Sequence, residues 1–149
     1  METLLWTLLG VIAGACIATQ APINVQLGKS LGMPFAAAAM SFLAGAIALW
    51  VISFAMAHFQ GISINFTAPA PWLFVTGGLL GAVFVTSTIV LTPMIGTAAV
   101  MGLAITGQLL AGLTLDRVGF LGTAVREISV GRIAGAVLLV IGAVMIRVL

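Results

Sequence analysis

Hydrophobic positions in this chain fall in five long blocks, and polar positions gather mostly at the joints between them. The blocks cover about residues 4–24, 34–57, 71–91, 95–115 and 131–148. A hydrocarbon core of ~30 Å takes about 20 helical residues at ~1.5 Å each, so the blocks predict membrane-spanning helices. The joints carry turn chemistry: Gly28, Gly32 and Pro34 after the first block, Gly61, Asn65 and Pro69 after the second, and Thr92-Pro93-Met94-Ile95-Gly96 after the third. The third joint is short enough to make its flanking helices antiparallel neighbours. The fifth block is the shortest, with only Ile133 to Ile146 between Arg132 and Arg147; at ~21 Å it spans the core only if both arginines snorkel outward. The expected fold class is an all-α integral membrane protein of five transmembrane helices, forming one domain over residues 1–149.

Polar residues inside the blocks are few enough to weigh singly. Thr19 to Gln26 holds three amides, Gln20, Asn24 and Gln26, together with Pro22. An unpaired polar group in hydrocarbon costs several kcal/mol, so these amides must pair, reach water or line a cavity. Pro22 lacks an N–H and crowds the carbonyl four residues back, which predicts a kink or end near Ala18–Ala21. If helix continues, Gln20 and Asn24 share a face and Gln26 points elsewhere. Gln108 lies near the middle of the fourth block, as interhelical glue or as a solute contact. Gln20, Asn24 and Gln108 are the candidate solute-binding residues, and Pro22 and Pro93 the expected helix breaks. Asp116 and Arg117 end the fourth span as either a gate or an ordinary solvated helix end. Small residues recur at helical spacing in Gly10/Gly14/Ala18, Ser41/Gly45, Gly77/Gly81 and Gly131/Gly135, which predicts close helix approach.

Composition confirms the solvent. The chain is 62% apolar and 5% charged, against about 25% charged residues in soluble domains. A net charge of +2 spread over scattered basic residues gives no track for nucleic acid. Cys16 stands alone, so no intramolecular disulfide or multi-cysteine metal site is expected. No nucleophile–base pair, HExxH motif, carboxylate cluster or phosphate loop is present, so neither an enzyme nor a cofactor is expected. Five spans divide Lys and Arg three against two across the membrane: Arg117, Arg126 and Arg132 against Lys29 and Arg147. That near-tie permits insertion in both orientations and antiparallel pairing of two chains.

The chain resembles the bacterial YdcZ-like five-helix family of the drug/metabolite transporter superfamily. The residues that carry the resemblance are Gln20, Asn24 and Leu27; Gly32, Pro34 and Ala37; Ser41-Phe42 with Gly45; and Trp72, Gly77-Gly78 and Gly81. It continues through Pro93 with Gly96, Gly107-Gln108, Asp116 with Gly119, and Arg132 with Gly135. The resemblance implies half of a ten-helix transporter bundle in the bacterial inner membrane. It also implies a dimer, of identical chains or with a similar five-helix partner. Small multidrug antiporters of comparable size carry an acidic residue within the first span; here Glu2 sits at the very start and Ala13–Ala18 hold no carboxylate. Proton-for-cation exchange therefore lacks a carrier, and amides suit a neutral or zwitterionic solute. The expected function is transport of such a solute by alternating access. The alternative is an accessory subunit that assembles with another membrane protein.

Overall fold

A computed structural model describes residues 2–148. Its elements are α1 (Glu2–Leu31), α2 (Pro34–Gln60), α3 (Leu73–Ile95), α4 (Thr97–Val118), a 3₁₀ turn (Phe120–Gly122) and α5 (Val130–Val148). All five α-helices are long and apolar enough to cross a membrane, and no strand occurs among the described residues. The all-helical, five-span fold expected from the hydrophobic blocks is the fold observed.

The helices outrun the apolar blocks at two prolines. Pro22 lies inside α1, which continues to Leu31, and Pro93 lies inside α3, which continues to Ile95. Neither proline ends its helix, contrary to the expected breaks. Each removes one ladder bond, but unwinding in hydrocarbon would free many backbone groups at several kcal/mol apiece, so the helix persists. The break after α3 comes instead at Gly96, with φ 82° and ψ 154°, a backbone region open essentially to glycine alone. It lasts a single residue: the Gly96 N–H donates to the Thr92 carbonyl at 2.9 Å, and the Gly96 carbonyl already accepts from the Val100 N–H.

The chain divides into two compact units, residues up to Val90 and residues from Leu91 onward. In the first, α1 and α2 are joined by Gly32 and Met33 alone and pack as an antiparallel hairpin. The Met33 N–H returns to the Gly28 carbonyl at 3.1 Å, and Pro34 begins α2, where its missing N–H costs nothing. Gly28 sits in the closed part of the hairpin, where an added Cβ would make ordinary contacts of 3.5–3.6 Å with Ile89, Ala37 and Pro34. Ala37, Ala38, Val85 and Ile89 form the buried cluster, flanked by Val25, Leu27 and Phe84. Higher on α3, Gly81 takes the Phe42 ring, with 3.0 Å between Cζ and the position a Cβ would occupy. The first half of α1 differs sharply. Every residue from Glu2 to Ile17 is exposed, and added Cβ atoms at Gly10 and Gly14 would meet nothing within 4 Å.

In the second unit α4 packs on α5. Ala99, Val100, Ala136 and Ala143 are buried, and a Cβ at Gly102 would stand 3.3 Å from that of Ala143. Asp116 near the end of α4 meets Arg132 near the start of α5, so these helices are also antiparallel. Gly119 ends α4 at φ 63°, and a side chain there would collide with Val125 Cγ2 at 2.7 Å.

Candidate functional site

The polar residues of α1 are sorted by the hairpin. Gln20 Nε2 donates to Ser41 Oγ at 2.9 Å, across from α1 to α2. One turn on, Asn24 is only 4% exposed, the most deeply buried amide among the described residues. A further turn on, Gly28 packs on Pro34 and Ala37. Positions 20, 24 and 28 therefore follow one stripe, between the Gln20–Ser41 bond and the packing of Gly28 on Ile89, Ala37 and Pro34. The side-chain hydrogen bonds formed on α1 belong to Thr7, Thr19, Gln20 and Ser30; none belongs to Asn24. Gln26 is exposed and lies off this stripe.

This arrangement is a hydrogen-bonding site in an apolar wall. Asn24 carries two N–H donors and a carbonyl acceptor. Gln20 keeps its carbonyl oxygen after bonding Ser41, and Ser41 keeps a donor hydrogen, since its oxygen is the acceptor in that bond. No formal charge enters the cluster. Ser41 was legible in the sequence only as a small residue paired with Gly45. What could have found it is its distance from Gln20 across a tight helical hairpin, which a two-residue turn fixes.

In the other unit Gln108 is exposed on α4, whose side-chain hydrogen bonds belong to Thr106, Thr114 and Asp116, not to Gln108. Asp116 accepts from Arg132 Nη2 at 2.5 Å, with the two side chains 36% and 34% exposed. The Arg126 N–H donates to the Asp116 carbonyl at 2.9 Å, tying the loop to the helix end. Arg132 Nη1 and Thr92 Oγ1 are enclosed and find no partner among the described residues. Between α4 and α5 lies an apolar hollow of about 290 Å³, lined by Met101, Ile105, Leu138, Leu139 and Ile146 among others and by no polar side chain. It lacks the convergent polar groups that orient a polar ligand.

Five apolar helices, each long enough to cross a bilayer, define a multi-pass membrane protein. Residues 5–145 match the family model DMT_YdcZ, described as "Putative inner membrane exporter, YdcZ". The chain belongs to this family and is a multi-pass inner-membrane protein. Membership supports a role in membrane transport and fits a non-enzymatic chain. Comparison with curated proteins and with solved structures gave no match.

Proposed function

We propose that the chain is half of a transporter that carries a small neutral or zwitterionic solute by alternating access, with a second five-helix chain supplying the other half. The observation that carries this reading is Asn24: a buried amide that makes no side-chain hydrogen bond, one turn from the Gln20–Ser41 bond. With no side-chain partner on α1 or α2, the Asn24 amide keeps its donors and its acceptor for a ligand. Gln20 and Asn24 contact the solute from α1, and Gln108 offers the same chemistry from α4. Asp116, engaged by Arg132, anchors the end of α4, where a gate and a solvated helix end were both open.

The exposed first half of α1, with Gly10 and Gly14 open, supports association with a second chain, identical or similar. The near-even charge count supports an antiparallel arrangement of two copies.

The test is flux into liposomes containing the purified protein, across a panel of neutral, zwitterionic and cationic solutes. Uptake of a neutral or zwitterionic solute, lost in Gln108→Leu with assembly intact, is the expected result. Transport of cations alone would overturn the solute class. No flux, with stoichiometric capture of a different membrane protein, would establish the accessory-subunit alternative. Tagging the C-terminus in cells should label it on both faces; labelling on one face would exclude the antiparallel homodimer.

A further inference from the structure

The connection between α4 and α5 is built unlike a loop that faces water. Phe120, Leu121 and Val125 are each at least half exposed, in a segment whose backbone is held in place. Arg126 N–H donates to Asp116 O, Thr123 Oγ1 donates to Phe120 O at 2.9 Å, and Gly119 closes against Val125. The level of this loop follows from α5, which at 19 residues is ~28 Å long and so only just crosses a ~30 Å core. Arg132 therefore marks the hydrocarbon boundary, and the Asp116–Arg132 bridge brings the end of α4 to the same level.

The charges at that level are unequal. Asp116 is taken by Arg132, and no other ion pair forms among the described residues. Arg117 and Arg126 remain, with Glu127 the one other acid in the segment. The bond from Arg126 N–H to the Asp116 carbonyl sets the Arg126 backbone beside the end of α4, one residue from Arg117, and both side chains are exposed.

We infer that Arg117 and Arg126 hold the phosphate of an anionic phospholipid, with Phe120, Leu121 and Val125 seated against its acyl chains. Guanidinium groups match phosphate oxygens with paired N–H donors. The exposed apolar side chains beside them select a lipid over a free anion, because only a lipid supplies hydrocarbon next to its phosphate. This inference is independent of the solute reading.

The experiment is native mass spectrometry of the full chain released from nanodiscs of phosphatidylcholine and phosphatidylglycerol in equal amounts. Preferential retention of phosphatidylglycerol is expected. At roughly fivefold per arginine, from about 1 kcal/mol each, Arg117→Gln with Arg126→Gln should cut that preference by roughly thirtyfold. Equal retention of both lipids by the parent protein, or an unchanged preference in the double variant, would overturn the assignment. If the double variant does not fold, Glu127→Gln decides: it removes the unpaired acid, so severalfold stronger retention supports the site and unchanged retention overturns it. Displacement of the lipid by millimolar inorganic phosphate would assign the arginines to a free anion and overturn the lipid reading.

Discussion

The two helical hairpins of this protein solve the same problem with different chemistry. In lipid, helices gain little from burying apolar side chains against each other, so a seam holds by close contact and by polar bonds across it. The α4–α5 seam uses both: Gly102 admits Ala143 midway, and Asp116 and Arg132 neutralise each other at the end. The α1–α2 seam makes ordinary contacts at Gly28 and keeps Asn24 buried, with no side-chain hydrogen bond of its own. Both seams keep hydrogen-bonding capacity: Arg132 Nη1 is enclosed without a partner beside the Asp116 bridge in one, and the uncharged Asn24 amide makes no side-chain hydrogen bond in the other. What differs is charge: an ion pair closes one seam, while amides and a hydroxyl line the other.

The sharpest way to break the comparison is Asn24→Leu. Losing a hydrogen bond of about 2–3 kcal/mol to the solute should lower flux by about a hundredfold. The same change replaces a buried polar side chain that makes no side-chain hydrogen bond with an apolar one, so the melting temperature in detergent should hold or rise. A fall in melting temperature with flux preserved would make Asn24 an assembly contact and erase the contrast between the seams.

The α4–α5 seam should respond in the opposite way. Gly102→Leu drives a side chain into Ala143, where even a Cβ stands at 3.3 Å, and should destabilise the protein by about 1–3 kcal/mol in chemical unfolding. Asp116→Asn should cost less, about 1 kcal/mol, because the bridge is about one-third exposed and water already screens it. Stability unaffected by both changes would show that this seam does not hold the second unit together.

Much of this architecture was readable because its signals are long. Each apolar block is about a membrane crossing in length, and no soluble fold hides so many. Helix ends were less readable, since a proline weakens a helix without ending it where unwound backbone has no water to turn to. Pro22 and Pro93 both lie within helices, and the break fell at Gly96, which alone tolerates the required backbone angles. In the candidate site, spacing put Gln20 and Asn24 on one face. Spacing does not say what that face meets. The hydroxyl opposite Gln20 depends on the register of α2, which Gly32 and Met33 set. The Gly10/Gly14 pair shows the converse: the pattern is plain, yet nothing among the described residues packs on it.

The smallest expected effect tests the contrast most finely. Ser41→Ala removes the acceptor for Gln20 Nε2 and leaves the helix backbone untouched. Interhelical hydrogen bonds of this kind contribute about 0.6 kcal/mol, because a freed amide in the membrane finds other partners. A double-mutant cycle with Gln20→Leu should return a coupling of about that size in unfolding measurements. The transport reading adds a second expectation. Ser41 holds the Gln20 amide in one orientation, so Ser41→Ala should raise KM severalfold while leaving maximal flux near that of the parent. Coupling in stability without a change in KM would make the bond a second assembly contact, leaving Asn24 the only amide on this stripe with a claim on the solute. A change in KM without coupling would place Ser41 in direct contact with the solute rather than behind Gln20.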